Sequence, residues 1–259
     1  MKKWALLIFI LTMPFLTQAQ TPEEKGRAIA EELDRRDSAW VDQQSTMRMI
    51  LHNRNGDESS REIRNRLLEV QGDGDKTLII FDEPNDVKGT AFLSYTHAMV
   101  PDEQWLYLPA LKRVKRISSN NKSGPFMGSE FAYEDINSQE VGKFTYKYLR
   151  DEKVEGRDCF VNENRPTYEY SGYTRLMVWI DKEYYQPVRI EYYDRKDELL
   201  KTLTYKGYNQ YMGRYWRPDV MEMVNHVNGK STRLEWKNYR FGTGLTERDF
   251  DINTLKRMK

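Results

Sequence analysis

From Thr46 onward the chain reads as short alternating segments separated by tight turns, and this pattern restricts the fold more than any other feature. Thr46 to His52 runs into Asn53-Arg54-Asn55-Gly56-Asp57, and Arg61 to Val70 into Gln71-Gly72-Asp73-Gly74-Asp75. Thr77 to Phe81 is a short apolar run. Val188 to Tyr192 alternates cleanly, as does Thr232 to Lys237, which follows the hairpin dipeptide Asn228-Gly229. Strands joined by tight turns pair with their neighbours in sequence, so the pattern predicts an antiparallel meander. The 17 Tyr, 10 Phe and 6 Trp suit strand positions. About ten or eleven segments qualify as strands, and a sheet that wide curls or closes. No repeat, low-complexity linker or shift of composition divides the chain after residue 45. One domain over 20–259 is therefore expected: a mainly β fold with some α, a curled antiparallel sheet behind one amphipathic helix.

That helix opens at Thr21-Pro22-Glu23-Glu24, where Thr21 is placed to cap, Pro22 suits the first turn and Glu24 can close a capping box. Ile29, Leu33 and Trp40 then recur at helical spacing, which predicts a helix over 22–40 with one narrow apolar stripe. Before it, Lys2 and Lys3 lead into an apolar run from Trp4 to Phe15, and Thr17-Gln18-Ala19 ends in small residues. Residues 1–19 read as a secretory signal peptide. The run is too short for a spanning helix, which needs roughly 20 apolar residues. An exported protein, soluble outside the cytoplasm, is expected.

Catalytic signatures are missing. His52, His97 and His226 fall in no ligand spacing, Cys159 has no nucleophile signature, and no Gly-x-Ser-x-Gly occurs. Gly124-Pro125-Phe126-Met127-Gly128-Ser129 lacks the Gly-Lys-Ser/Thr core of a phosphate loop. The expectation is no enzyme, no metal and no cofactor. With Lys2 and Lys3 removed, 39 basic residues face 40 acidic ones, which argues against a nucleic-acid binder. Lone Cys159 excludes an internal disulfide and reads as a small buried residue. A monomer is expected.

The stretch from Trp105 to Asp135 carries most of the remaining information. Trp105-Leu106-Tyr107-Leu108-Pro109-Ala110-Leu111 predicts a hairpin turning at Pro109 to Leu111. Lys112, Arg113, Lys115 and Arg116 then put four cations in five residues, either a guarded sheet edge or a contact for anionic head groups. Gly124-Pro125-Phe126-Met127-Gly128-Ser129-Glu130-Phe131-Ala132-Tyr133-Glu134-Asp135 follows. This signature resembles that of the exported outer-membrane lipoprotein-sorting protein family, relatives of the carrier LolA. Pro84 to Leu93, Trp179-Ile180-Asp181 with Pro187-Val188, and Tyr215-Trp216-Arg217-Pro218 extend the likeness over the chain beyond its leader.

The resemblance implies a half-open antiparallel barrel whose mouth is covered by helix and loop. It implies a periplasmic carrier of acylated lipid or lipoprotein, served by an inner-membrane exporter of the resistance-nodulation-division (RND) type and touching membranes only transiently. The alternative on the same fold is an envelope sensor that binds lipid without moving it. Large and adaptable apolar side chains suit a cavity wall. The candidates are Met47, Met49 and Leu51 on one strand, Trp105 and Tyr107 on another, and Met221, Met223, Leu234 and Trp236 on a third part. Phe126, Met127 and Phe131 join them from the signature. Arg113 and Arg116 are candidates for head-group or partner contact. Ile29, Leu33 and Trp40 are the expected lid face, with the Ser118–Ser129 loop as a second moving part.

Overall fold

The computed structural model of the chain describes residues 20–136 and 138–256; the expected leader lies outside them. The first element is α1, Pro22–Arg36. Its capping box forms: Glu24 N donates to the Thr21 hydroxyl at 3.1 Å, and Thr21 N donates to the Glu24 carboxylate at 2.8 Å. The helix stops at Arg36 rather than running to residue 40. Ala39 and Val41 take left-handed φ angles of 71° and 67°, so Trp40 is buried in a turn and not on the helix face. The Asp37 carboxylate is engaged by Arg217 at 2.5 Å, and Ser38 folds back on the Arg35 carbonyl at 3.0 Å; both interactions favour the turn.

Thirteen strands then form one antiparallel sheet. The first six are β1 Asp42–His52, β2 Glu58–Leu68, β3 Lys76–Glu83, β4 Ala91–Tyr95, β5 Glu103–Leu108 and β6 Arg113–Ile117. The rest are β7 Phe144–Val154, β8 Arg157–Pro166, β9 Arg175–Asp181, β10 Pro187–Tyr193, β11 Leu199–Tyr211, β12 Tyr215–Asn225 and β13 Ser231–Phe241. A short helix, α2 Ile252–Leu255, follows. The sheet is wider than the sequence pattern predicts, and charge-dense β7 and five-residue β4 are the weakest of its signals.

The strand order is β6-β5-β4-β3-β2-β1-β13-β12-β11-β10-β9-β8-β7. Two meanders are thus joined where β1 pairs with β13, and the outermost strands are β6 and β7. These edges do not pair, so the sheet is a half-barrel and not a closed one. The consequence for the site is topological. Residues 118–143 connect β6 to β7, so they must travel from one edge of the sheet to the other.

Side chains alternate between faces along each strand. The main core lies on the concave face and includes Met47, Met49, Ile63, Phe81, Leu106, Leu176, Leu203, Met223 and Leu234. Two smaller clusters lie on the other face. One packs Trp105 and Tyr107 with Leu78, Leu93, Phe250 and Leu255; the other packs Cys159 with Val161, Met177 and Trp179. The expectation that Trp105 and Tyr107 line the concave wall is therefore corrected. Leu106 and Leu108 are their concave-facing neighbours. Trp105-Leu106-Tyr107-Leu108 is apolar at every position, so it offers no parity to read, and the C-terminal segment covers the outer face.

Helix α1 packs on β7. A Cβ on Gly26 would lie 2.6 Å from Tyr148 N, so only glycine permits this approach. Asn162 Nδ2 donates to the Gly26 carbonyl at 2.9 Å beneath it. The other end of the helix region is tied by Arg36 to the Glu183 carbonyl at 3.0 Å, and by Arg217 to Asp37. Helix α1 is thus fastened at both ends. Among the described residues no helix is long and apolar enough to cross a membrane.

Candidate functional site

The concave wall consists of registered rows. Leu203, Met223, Thr232 and Leu51 are successive cross-strand partners from β11 to β1. Tyr205, Met221, Leu234, Met49 and Arg61 form the next row, and Trp236, Met47, Ile63 and Phe81 the one beyond. Such rows arise because antiparallel pairing puts residues of equal parity on one face. Sulfur and aromatic side chains make the wall broad and adaptable.

The 118–143 connection fills this wall. Phe126 and Phe131 are 0% and 1% exposed, although both belong to a loop. Phe126 packs 5.2 Å from Phe92, 5.5 Å from Tyr133 and 6.1 Å from Phe81, measured between ring centres. The loop is folded to present both rings. Phe126 N donates to the Phe131 carbonyl at 2.7 Å, and the Ser129 hydroxyl donates to the Phe126 carbonyl at 2.7 Å. Met127 and Gly128 reverse the chain with φ of 50° and 78°. Arg61 donates from the wall to the Met127 carbonyl, and Gln104 Nε2 donates to the Tyr133 carbonyl at 3.2 Å. We call residues 124–135 the plug.

Polar anchors hold the plug against β11, β12, β13 and the connection between β8 and β9. Lys201 Nζ donates to Asp135 Oδ2 at 2.6 Å and to the Glu130 carbonyl at 2.9 Å. The Tyr173 hydroxyl donates to Asp135 Oδ1 at 2.8 Å. Asn225 Nδ2 donates to Glu130 Oε2 at 2.7 Å, and Glu130 N donates to the Thr232 hydroxyl at 3.0 Å. Glu134 accepts from the Tyr168 and Ser171 hydroxyls, each at 2.9 Å, and from Gly172 N at 2.8 Å. Burial pushes the Glu134 carboxyl above its usual range, and these donated bonds offset part of the rise.

Beside the plug lies a cavity of 440 Å3, within the range of small-ligand sites. Its apolar lining includes Phe144, Leu176 and Tyr192, and its far side carries Asp102 between Lys122 and Lys143. It reaches solvent past Met99, Val100 and Tyr170, which are 91%, 55% and 47% exposed. Exposed apolar side chains around a cavity mouth suit contact with hydrocarbon.

The structure distributes the predicted residues as follows. Met47, Met49, Met223, Leu234, Phe126 and Phe131 are buried together, and Leu51, Met127, Met221 and Trp236 pack partly buried against them. Ile29 and Leu33 of α1 touch the same core, whereas Trp40 is outside it. Arg113 and Arg116 are exposed on edge strand β6, after the hairpin at Pro109–Leu111, and Arg116 pairs with Glu103 at 2.7 Å. His52, His97 and His226 sit apart, on Glu58, Asp73 and Thr202. Among the described residues no cluster of His, Cys, Asp and Glu could hold a metal ion. The anchors Asp135, Lys201, Tyr173 and Asn225 escaped the sequence reading. Lys201 left a signal: it shares strand parity with Leu203 and Tyr205, an inward charge on an alternating strand.

Comparison with known proteins bears on this geometry. A family model described as an uncharacterized protein matches residues 73–257. No curated protein matches the chain. An outer-membrane lipoprotein-sorting protein domain from Vibrio parahaemolyticus is similar at 57% identity and a TM-score of 0.89, over 91% of this chain and 100% of that one. A DUF1329 family protein from Desulfovibrio piger is similar at 31% identity and a TM-score of 0.86, over 91% of this chain and 99% of that one. A LolA superfamily protein from Nitrosomonas europaea shares the fold at 20% identity and a TM-score of 0.70, over 88% of this chain and 98% of that one. Through its likeness to the Vibrio domain along nearly its whole described length, the chain belongs to the outer-membrane lipoprotein-sorting protein family, built on a LolA-like half-barrel.

Proposed function

We propose that the protein is a periplasmic carrier that shelters acyl chains on its concave wall and moves them between envelope membranes. The observation that carries this reading is that a loop fills the hollow of the sheet. Elements of the wall itself are long, registered and tied to each other by backbone ladders; the plug adds no strand to the sheet and is held by its buried rings and by side-chain anchors. A cavity already opens beside it through exposed apolar residues.

The energetics favour exchange. Moving one acyl chain of some fourteen methylenes out of water gains on the order of 11 kcal/mol. Withdrawing Phe126 and Phe131 from the wall forfeits about 3–6 kcal/mol, and freeing the anchors adds to that. Cargo and plug thus compete for the wall on terms of similar size, and a near balance is what a carrier that must release requires. Apart from Thr232 and Arg61 the rows are apolar and give no directional contact, so the wall tolerates chains of varied shape.

The leader expected over 1–19 supports export to the periplasm, and in this reading an RND-type inner-membrane exporter is the partner that loads or unloads the protein. The chain acts as a monomer and performs no chemistry of its own in this reading. The test is extraction and transfer. Protein freed of lipid is mixed with vesicles carrying a fluorescent acyl lipid, then separated and mixed with empty vesicles. The carrier reading predicts uptake followed by delivery. Uptake without delivery favours the sensor alternative, and no uptake in this assay overturns both.

A further inference from the structure

We infer that the plug carboxylates of Glu130 and Asp135 occupy a head-group site, and that the cargo is an amphiphile with an anionic head; this rests on the carrier reading and names its ligand class. The argument starts from which partner each charge has. Lys201 is a lysine whose side chain is 4% exposed, paired with an Asp135 side chain that is 2% exposed. Both oxygens that accept from its ammonium, Asp135 Oδ2 and the Glu130 carbonyl, belong to the plug. The Tyr173 hydroxyl donates to the same Asp135, and the Asn225 and Asn228 amides donate to the Glu130 carboxylate at 2.7 and 3.2 Å. Four sheet-side donors thus converge on two carboxylates that a displaced plug takes away.

The two asparagine donors are held independently of the plug. Asn225 Oδ1 accepts from Val227 N and Asn228 N, at 2.9 and 3.2 Å, so the turn between β12 and β13 orients its amide. Asn228 Oδ1 accepts from Lys230 N at 2.8 Å. The Tyr173 and Tyr192 rings stand 5.3 and 5.2 Å from the Lys201 ammonium, and both line the 440 Å3 cavity. An open protein would expose a buried cation and three oriented donors, an arrangement that is unfavourable until an anion replaces the lost carboxylates.

Polarity along the strands matches an amphiphile. Lys201 and Asn225 are register partners at one end of the concave face. The next inward row is Leu203, Met223, Thr232 and Leu51, and the one after it Tyr205, Met221, Leu234 and Met49. A molecule with its head on Lys201 lays its tail along these rows, which share one buried cluster with Phe126 and Phe131. A phosphate or a carboxylate satisfies the donors equally well; both are anionic, compact and rich in acceptors.

The experiment compares laurate with dodecanol, equal chains that differ in head charge, by calorimetric titration at a pH where laurate is ionised; inorganic phosphate alone is the third ligand. Wild-type protein is expected to bind laurate about tenfold or more tightly than dodecanol, the size of one charge-assisted hydrogen bond. Phosphate alone is expected to bind far more weakly than laurate, since the tail supplies most of the affinity. Asp135→Asn, which weakens the plug anchor, is expected to tighten both chains together. Asp135→Asn combined with Lys201→Met, which keeps the buried site neutral, is expected to fold and to lose the preference for laurate. Equal binding of laurate and dodecanol by the wild type overturns the head-group site and leaves the carrier reading standing. Binding of neither chain overturns both, and phosphate binding as tight as laurate assigns the site to a free anion and overturns the amphiphile. The wild-type comparison decides the question even if the double variant fails to fold.

Discussion

Phe126→Ala separates a plug from an ordinary core residue. Phe126 is fully buried against Phe81, Phe92 and Tyr133. Truncating a buried phenylalanine costs about 3–5 kcal/mol when the site cannot collapse. If the ring belongs to a displaceable loop, that cost falls on the closed state alone, because the open state does not use the contact. Opening then becomes easier by about 3 kcal/mol, which raises the open fraction by about a hundredfold at 1.4 kcal/mol per factor of ten. Apparent lipid affinity should rise by up to the same factor, levelling off once the open form dominates. Thermal melting and fluorescent acyl-lipid binding, measured on the same preparation, give both numbers. The ligand-free melting temperature should fall while affinity rises. Phe81→Ala is the contrast: Phe81 lies on the wall, which cargo also uses, so stability and affinity should fall together. If Phe126→Ala weakens lipid binding as Phe81→Ala does, the displaceable plug is refuted.

Three further outcomes follow from other parts of the fold. Gly26→Ala forces a Cβ to within 2.6 Å of the β7 backbone and should destabilise the protein by about 1–3 kcal/mol in denaturant titration, with lipid selectivity unchanged. Burial, with the negative charge of Glu140 second, pushes the Asp75 carboxyl up to about 7. A carboxyl raised on folding contributes stability that is complete below the unfolded-state value near 3.8 and is lost as pH rises through about 7. Melting temperature should therefore fall progressively from about pH 4 to pH 7 and level off above it, and Asp75→Asn should flatten that fall. Arg113→Ser with Arg116→Ser alters exposed positions on edge strand β6 and should change stability by less than about 0.5 kcal/mol. If these arginines contact anionic head groups, as expected from the sequence, the pair should slow delivery to anionic vesicles, and rising salt should erase the difference between variant and wild type.

What the sequence revealed depended on where burial is one-sided. Thr232 to Lys237 alternates because one face meets the core and the other carries charge, so strand, parity and turn were all readable; in Val188 to Tyr192 the strand was readable, but Val188 joins the outer cluster while Ile190 and Tyr192 join the main core, next to a register shift between Pro187 and Arg189. Trp105 to Leu108 has cores on both faces, so strand and hairpin were visible and parity was not. Helix α1 was legible at its capped start and illegible at its end, because Trp40 continues the spacing while the Asp37–Arg217 contact and the left-handed residues around it break the helix. The plug showed as a Gly-rich, aromatic-rich segment, but its route across the sheet depends on β1 pairing with β13, a contact between the two ends of the chain that local pattern does not encode. The ion pair of Asp135 with Lys201 joins residues far apart in sequence for the same reason.

The most direct test of the account is a crystal structure of the protein loaded with laurate. The account predicts the alkyl chain lying on Met49, Leu234 and Met223, with Phe126 and Phe131 withdrawn from the wall. A chain bound anywhere else, with Phe126 still seated against Phe81 and Phe92 and Phe131 still buried, would contradict it.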